Sequence, residues 1–381
     1  MPELQDLLDH LVAEYVPGAV ALVDRDGDVE VAATGAARAD GVPMVRDTIV
    51  RAASITKPII GALTMTLVED DTLRLDDPVG EWLPELANPK VLRRPDSPID
   101  DVVPANRAIT VEDLLTFRAG HGFPSDFSYP VVERLFGELV QGPPQPQKVP
   151  APDEWMRRLS AVPLLHQPGA GWTYNTGADI LGVLLARATA MPLPDLMRQR
   201  IFEPLGMTDT GFSVPAAQRH RLADYWVDDE VGGRRVDDAA ADSAWLDEPP
   251  FPSGAGGLVT TVDDWWRFGR MLAGGGEADG LRVLAPESVA AMATDRLTDD
   301  QKRWGEVFLD GQGWGYCGSV DADGPDVWNV AGRYGWVGGT GTSAHVVPSQ
   351  RRVALLFTQL QVGGPQTGDL LHEFWAYAAS G

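Results

Sequence analysis

The chain has 381 residues, 44% of them apolar, which indicates two structural units or one large domain with an insertion, with a core large enough to need no metal or disulfide. Acidic residues outnumber basic ones by 55 to 31, so the formal net charge is −24. A surface of this sign repels phosphate backbones and anionic lipids, and nucleic-acid and membrane partners are therefore not expected.

The single cysteine, Cys317, excludes an intrachain disulfide and is interpreted as a buried structural thiol in a stretch rich in glycine and aromatic residues. The N-terminal segment is amphipathic and acidic, without the basic and apolar regions of a signal peptide. No run of residues approaches the roughly 18 apolar positions that indicate a membrane helix. We therefore expect a cytoplasmic protein, and a homodimer is compatible with the sequence.

The first elements are a helix, a hairpin and a second helix. Residues 3–16 carry apolar side chains at helical spacing. Two runs of small and β-branched residues then flank Asp26-Gly27, a dipeptide typical of a hairpin turn. A helix is expected after Arg51, with Pro58 in its first turn, where proline is tolerated.

Residues 76–250 are richer in proline, charge and aromatic residues and show several short helical patterns. Thr110 is expected to cap a helix that ends at Gly120. The remaining predictions in this region are a helix over 179–191, a loop over 138–152 and a loop or short hairpin over 227–250.

Regular patterns return from Phe251 onwards. Thr261 is expected to cap a helix, and two adjacent strands are predicted over 335–348 and 351–361, followed by a closing helix over 367–379. Strands thus lie near both ends of the chain, with helices between them.

This order predicts an α/β (α+β) fold, in which an antiparallel sheet flanked by helices is built from both termini and carries an inserted all-helical domain. The sheet domain is assigned to residues 1–75 and 251–381 and the inserted domain to 76–250, with the active site between them.

Ser54 and Lys57 suggest a nucleophile and its base. The chain has only four lysines, and this one follows the serine by three residues at the start of an apolar helical run. Positions i and i+3 share one helix face. A serine hydroxyl becomes nucleophilic when a base takes its proton, and desolvation lowers the pKa of a lysine enough for that task. A capping serine with a purely structural lysine is the alternative.

Further motifs extend this pair into a family resemblance. Ser54-Ile55-Thr56-Lys57 resembles the S-x-x-K of serine β-lactamases and penicillin-binding proteins. PGAGWTYNTGADILGVLL (168–185) resembles the segment of class C β-lactamases and family VIII esterases that carries their tyrosine, and YGWVGGTGTS (334–343) resembles their third motif. ITVEDLLTFRAGHG and GAGGLVTTVDDWWRF resemble two further segments in the right order, so the resemblance covers nearly the whole chain.

The resemblance implies a role for each matching residue. Ser54 would form the acyl-enzyme, Lys57 would be its base or electrostatic helper, and Tyr174 would hydrogen-bond the serine and pass the proton to the leaving group. The oxyanion hole would consist of the backbone N–H groups of Ser54 and Gly339. Gly338 would allow the substrate to approach the strand closely.

The tyrosine motif departs from the family pattern. In the β-lactamases it is Tyr-x-Asn, but here Thr176 occupies the third place and an asparagine stands at 175. Either Asn175 or Thr176 can be assigned the role.

The third motif departs as well. Trp336-Val337-Gly338 occurs where β-lactamases have Lys-Thr-Gly, whose lysine pairs with the substrate carboxylate. Tryptophan offers only an aromatic face and one N–H, and family VIII esterases share it. A neutral ester is therefore the expected substrate.

Other substrate-binding positions are expected among aromatic residues in segments that resemble the family's site-bordering loops. These are Phe123, Phe127, Tyr129, Tyr225 and Trp226, together with Thr176, Trp336 and Gly338 from the motifs. His121 is interpreted as structural.

The sequence contains no Gly-x-Ser-x-Gly, no H-E-x-x-H and no phosphate-binding loop, so neither a cofactor nor a metal is expected. The expected function is cofactor-independent hydrolysis of a small-molecule ester through an acyl-enzyme. The alternatives are amide hydrolysis, β-lactam hydrolysis or acyl transfer by the same superfamily, and a catalytically silent binding module. A carboxylate-bearing substrate would require another cation, such as Arg333.

Overall fold

The computed structural model describes residues 3–229, 232–363 and 368–380. In these ranges the helices are α1 (Leu4–Glu14), α2 (Lys57–Glu69), α3 (Val111–Leu115), α4 (Pro130–Gly137), α5 (Pro152–Leu159), α6 (Thr176–Thr189), α7 (Leu193–Met197), α8 (Glu203–Leu205), α9 (Val262–Ala273), α10 (Pro286–Met292), α11 (Asp299–Trp304), α12 (Glu306–Leu309) and α13 (Asp369–Ala379).

The strands in the same ranges are β1 (Gly18–Arg25), β2 (Asp28–Gly35), β3 (Val50–Arg51), β4 (Lys90–Leu92), β5 (Val102–Pro104), β6 (Tyr225–Asp228), β7 (Arg234–Asp238), β8 (Val259–Thr260), β9 (Glu277–Ala278), β10 (Leu281–Arg282), β11 (Gly313–Trp314), β12 (Ser319–Val320), β13 (Tyr334–Gly338), β14 (Thr342–Val347) and β15 (Arg352–Thr358).

The main sheet has seven strands within the described residues, in the order β11-β12-β13-β14-β15-β1-β2. All its neighbouring strands are antiparallel. The chain's first strand, β1, therefore pairs directly with its last one, β15, and β2 extends the sheet beyond β1. The antiparallel sheet built from both ends of the chain, flanked by helices, confirms the expected fold class.

The β1–β2 hairpin turns at Asp26-Gly27, as predicted, with φ values of 53° and 98°. Positive φ at both central residues is the backbone conformation whose twist matches that of antiparallel strands.

The expected strand over 335–348 is wrong as a single element, because the chain reverses within it. β13 ends at Gly338, the N–H of Gly341 donates to the carbonyl of Gly338 at 2.9 Å, and β14 begins at Thr342. Gly341 has a φ of 90° and approaches Leu360 so closely that a Cβ would lie 2.4 Å from its carbonyl oxygen. Gly339 and Gly341 therefore belong to the turn between two strands and not to the interior of one strand.

Both faces of the sheet are covered. Along β1, Val20 and Leu22 belong to the core that contains α2 and α9, whereas Ala19, Ala21 and Val23 belong to the core under α1 and α13. Alternation with a period of two explains this division. The closing helix begins at Asp369, and the start of its predicted range, Thr367, lies outside the described residues.

Two helices have the predicted caps. Thr261 accepts from the N–H of Asp264 at the start of α9, and Thr110 forms a reciprocal capping box with Asp113 at the start of α3. However, α3 ends at Leu115 and not at Gly120, because Phe117 already has a left-handed φ of 58°.

In the region between the two halves of the sheet, α6 covers most of its predicted range and starts at Thr176. A short hairpin, β6–β7, forms within 225–238. The domain boundaries at 75/76 and 250/251 stay a prediction. Within the described ranges, no single helix is long and apolar enough to cross a membrane. Only when taken together do the two helices of the bent pair Thr176–Thr189 and Leu193–Leu205 have the length and composition of a membrane span.

Candidate active site

Ser54 lies in a strained turn between strand and helix. It follows β3 and occupies a single 3₁₀ turn, Ala53–Thr56, that leads directly into α2. Ala53 has a φ of 47°, a left-handed conformation that is costly for a residue with a Cβ. The turn leaves Ser54 half-buried in the wall of a cavity, whereas the neighbouring Ile55 is fully buried.

Two threonine side chains attach the β13–β14 turn to this strained segment. The hydroxyl of Thr340 donates to the carbonyl of Arg51 at 2.6 Å, and that of Thr342 donates to the carbonyl of Ala52 at 2.8 Å. Gly338 is needed at this junction, since a Cβ there would lie 2.6 Å from the Ala52 carbonyl oxygen. Gly339, one residue further, is exposed and lines the same cavity as Ser54.

Lys57 is fully buried, and all three hydrogen-bonding positions of its ammonium group are occupied. Its Nζ donates to Ser54 Oγ at 2.8 Å, to Asn175 Oδ1 at 2.8 Å and to the carbonyl of Ala255 at 2.6 Å. Lys57 is buried because α2 lies inside the core, where every residue from Lys57 to Leu67 is buried.

Burial lowers the pKa of Lys57 to about 7, and the nearby carboxylate of Asp179 opposes that shift. Desolvation penalises the charged form of the amine, which explains the direction. A lysine with this pKa exchanges a proton near neutral pH, and its side chain is already in contact with the serine hydroxyl.

Tyr174 contacts Ser54 from the other side. Its hydroxyl donates to Ser54 Oγ at 2.9 Å and accepts a hydrogen bond of 2.6 Å from the indole N–H of Trp336. Burial raises the pKa of Tyr174 to about 12, so the phenol is neutral at physiological pH. Lys57 Nζ also lies 4.7 Å from the centre of the Tyr174 ring. The structure thus brings Ser54, Lys57, Tyr174 and Trp336 together.

Asn175, and not Thr176, faces Lys57. The N–H of Thr176 donates to the Tyr174 carbonyl at 3.2 Å, which makes Asn175 the centre of a tight three-residue turn with φ 82° and ψ −64°. This γ-turn is rare and strained for a residue with a side chain. Thr176 is fully buried, donates to Gln141 at 2.6 Å and does not line the cavity, so the structure does not bring this predicted substrate-binding residue to the site.

Sequence reasoning missed Asp179, a buried acid one turn into α6. One of its carboxylate oxygens accepts from the Ser253 hydroxyl at 2.6 Å and from the N–H of Ala255 at 3.1 Å, and the other accepts from Gln141 at 3.0 Å. Ala255 is the residue whose carbonyl accepts from Lys57. An acid inside an otherwise apolar helix was the available signal, because such a group needs buried partners.

The cavity has a volume of about 360 Å³ and is lined mainly by aromatic, aliphatic and proline side chains. Of the predicted aromatic residues, Phe123, Phe127, Tyr225 and Trp336 line it, but Tyr129 and Trp226 do not. Trp226 packs instead against the core under α1 and α13, where its backbone N–H donates to the carbonyl of Gln359 at 2.8 Å. Sequence reasoning missed a second group of lining aromatics, Phe136, Trp155, Trp245, Phe251 and Phe308.

Lysine and arginine are absent from the described residues that line this cavity. Arg333, the alternative cation, is buried elsewhere, where it pairs with Asp321 at 2.9 Å and lies over the Trp375 ring. Asp321 already neutralises its charge, so Arg333 does not serve as the partner of a substrate carboxylate. In the described ranges, no three His, Cys, Asp or Glu side chains are grouped to hold a metal ion.

Two other sequence interpretations concern residues close to the site. Cys317 is fully buried, as predicted, and burial raises the pKa of its thiol. His121 is also buried, with Nε2 3.0 Å from the carbonyl oxygen of Val162, and burial lowers its pKa to about 4. It does not line the cavity, which agrees with a structural role.

Known proteins resemble this chain over most of its length. Residues 4–373 match the sequence profile of the family described as beta-lactamase. Protein Rv1367c of Mycobacterium tuberculosis is 40% identical over 360 residues, 91% of this chain and 86% of that protein. Esterase EstB of Burkholderia gladioli is 31% identical over 323 residues, 80% of this chain and 75% of that protein. The solved structure of EstCE1, described as a hydrolase with promiscuous acyltransferase activity, has a TM-score of 0.82 at 24% identity, over 99% of this chain and 97% of that one.

Proposed function

Because the chain belongs to the beta-lactamase family and is a serine hydrolase-type enzyme, we propose that it cleaves small neutral carboxylic esters through an acyl-enzyme on Ser54. The observation that carries the proposal is the absence of lysine and arginine from the described cavity lining, with Trp336 at the lysine position of the third motif. A β-lactam or peptide carboxylate finds no cation there for a charge-assisted contact. A neutral ester needs none, and the apolar walls favour it.

Acylation starts from neutral Lys57. Ser54 Oγ attacks the ester carbonyl carbon while its proton moves to Lys57 Nζ, 2.8 Å away. The negative charge on the carbonyl oxygen is stabilised by the N–H groups of Ser54 and Gly339. The carbon–oxygen bond to the alcohol then breaks, the leaving oxygen takes a proton from the Tyr174 hydroxyl, and the proton that Lys57 accepted returns to Tyr174.

Deacylation uses the same groups in reverse. Water attacks the acyl carbonyl and gives a proton to Lys57, and the bond between the carbonyl carbon and Ser54 Oγ breaks as Lys57 returns that proton to the serine. The raised pKa of Tyr174 supports the assignment of Lys57 as the base and Tyr174 as the proton donor to the leaving oxygen. A phenol that stays neutral transfers a proton without being the resident base, and Lys57 is the group that titrates near neutrality.

Acyl transfer to an alcohol is the second candidate function. It needs no new chemistry, because an alcohol can replace water in deacylation. Two observations favour it: the apolar lining of the cavity and the likeness to EstCE1, which is described as having promiscuous acyltransferase activity.

The first experiment compares kcat/KM for 4-nitrophenyl butyrate, a chromogenic cephalosporin and a D-alanyl-D-alanine mimic. We expect the ester to be preferred by at least about 100-fold, and Ser54→Ala to lose turnover of all three. Preference for either carboxylate-bearing substrate would contradict the proposal. It would also require a cation other than Arg333 to anchor the carboxylate.

Covalent labelling separates an enzyme from a silent binding module. A fluorophosphonate should label the protein stoichiometrically, and Ser54→Ala should lose the label. Ser160→Ala is the matched control, since Ser160 is exposed at the end of α5 and only donates to a backbone carbonyl. Labelling that persists in Ser54→Ala would exclude Ser54 as the nucleophile.

A further inference from the structure

A continuous cluster of aromatic rings leads from Tyr174 to the mouth of the cavity. Phe308 stacks on Tyr174 with 4.6 Å between ring centres, and Phe127 lies 5.9 Å from Phe308. Phe123 stacks on Phe127 at 5.8 Å and contacts Phe136 at 5.0 Å. These separations are those of interacting aromatic pairs. We call these five residues the ring cluster.

The outer end of the ring cluster is exposed although it is apolar. Phe127 is 43% exposed and Phe136 is 44% exposed, and both line the cavity. Phe136 lies on α4, whose other apolar residues, Val131, Val132 and Leu135, are buried. Two exposed phenyl rings beside a catalytic cavity form a surface that an apolar ligand can cover.

The position of Tyr174 decides which part of an ester meets the ring cluster. Its hydroxyl is 2.9 Å from Ser54 Oγ, and in the proposed reaction it protonates the leaving oxygen. That oxygen must therefore come within hydrogen-bonding distance of the Tyr174 hydroxyl. The group attached to the oxygen is then placed beside the rings that pack on Tyr174.

From this geometry we infer that the ring cluster is the subsite for the alcohol part of the substrate and that the preferred esters carry an aromatic alcohol. The inference rests on the proposed ester chemistry. Aromatic rings gain from offset or edge contacts with other rings beyond the gain from burying apolar area, so an aromatic alcohol is favoured over an aliphatic one of the same bulk.

The same subsite accepts an aromatic alcohol in acyl transfer. The alcohol oxygen attacks the acyl carbonyl, its proton passes to neutral Lys57, and the bond between the carbonyl carbon and Ser54 Oγ breaks as Ser54 regains that proton. The products are a new ester and the free enzyme. No redox partner or cofactor enters this balance.

The test uses butyrate esters whose alcohols differ in shape but little in acidity: ethyl, cyclohexylmethyl and benzyl butyrate. Hydrolysis is measured as the release of butyric acid. We expect kcat/KM for benzyl to exceed that for ethyl by at least about tenfold and that for cyclohexylmethyl by about threefold, as expected for one or two aromatic contacts. Phe127→Leu and Phe136→Leu keep apolar bulk but remove a ring, and each should lower the benzyl-to-cyclohexylmethyl ratio about threefold.

Leu281→Ala is the control, because Leu281 is a comparably exposed apolar residue, 42%, outside the cavity, and its ratios should equal those of the wild type. A series of 4-nitrophenyl esters with growing acyl chains tests the other assignment. If the Phe127 and Phe136 variants change acyl-chain preference and leave the alcohol ratios unchanged, the subsite belongs to the acyl group and the inference is overturned. If the wild-type protein shows no ester turnover that depends on Ser54, the proposed function itself is overturned.

Discussion

Asn175 Oδ1 accepts a hydrogen bond of 2.8 Å from Lys57 Nζ, although Asn175 precedes the position at which the family pattern places its asparagine. The strained γ-turn at Asn175 makes this contact, since it turns the side chain of the residue next to Tyr174 towards the lysine. The unusual backbone angles of Asn175 therefore decide between Asn175 and Thr176, a choice that the sequence left open.

Asn175→Gly should lower kcat/KM about 10- to 100-fold. Glycine tolerates the positive φ, so the backbone is kept while Lys57 loses one acceptor, and a hydrogen bond to a charged group contributes about 1.5–3 kcal/mol. Thr176→Val is the matched control. It removes the hydroxyl that donates to Gln141 and should lower Tm with little change in kinetics. A larger kinetic effect for Thr176→Val would reverse the assignment.

The pH dependence of kcat/KM for an uncharged ester should show one acid limb with an apparent pKa near 7. Lys57 must be neutral to accept the serine proton, so the rate rises as pH passes through the lowered pKa of this lysine. The rate should then stay flat to about pH 10, because Tyr174 remains protonated. A flat profile from pH 5.5 to 9 would exclude Lys57 as the titrating base.

Asp179→Asn should move that acid limb to lower pH. The carboxylate of Asp179 raises the pKa of Lys57 against the effect of burial, so removal of its charge lets the pKa fall further. Tm should also fall, because an amide cannot accept from Gln141 and Ser253 as the carboxylate does. Asp96→Asn makes the same charge change at an exposed position and should leave the limb in place. An unmoved limb in Asp179→Asn would show that this charge does not tune Lys57.

Thr340→Val should lower kcat about tenfold and change KM little. Its hydroxyl donates to the carbonyl of Arg51 and so holds the turn after Gly338 against the segment before Ser54. This contact fixes the distance between the two proposed oxyanion donors, the backbone N–H groups of Ser54 and Gly339. Affinity for phenylboronic acid, which forms a tetrahedral adduct with the serine, should fall in parallel. Thr340→Ser retains the hydroxyl and should restore both values. Equal losses in Thr340→Ser and Thr340→Val would show a packing role instead.

Local patterns predicted much of the fold. The hairpin at Asp26-Gly27, the Thr110 and Thr261 caps and the β15 strand depend on neighbours within a few residues, and the structure contains all of them. The turn between β13 and β14 was missed, because glycines that are read as part of a strand form a reversal once Leu360 packs against Gly341.

The residue types of the site were also within reach of the sequence. The spacing of Ser54 and Lys57 pointed to a nucleophile and a base. The resemblance of two further segments to known motifs added Tyr174, Trp336, Gly338 and Gly339. Each of these predictions depends only on the residue types within a short segment.

Only the tertiary structure decided which groups meet. Tyr174 lies 120 residues from Ser54 and Asn175 lies 118 from Lys57, so their contacts depend on how α6 packs against α2. Other tertiary contacts keep Thr176 and Trp226 out of the cavity wall and bring Asp179, Phe136 and Phe308 into it. The sequence by itself determined the chemistry that the chain can offer, through residue types and local spacing. The tertiary structure decided which side chains are desolvated together, because burial and long-range contacts set both the pKa of Lys57 and the shape of the cavity.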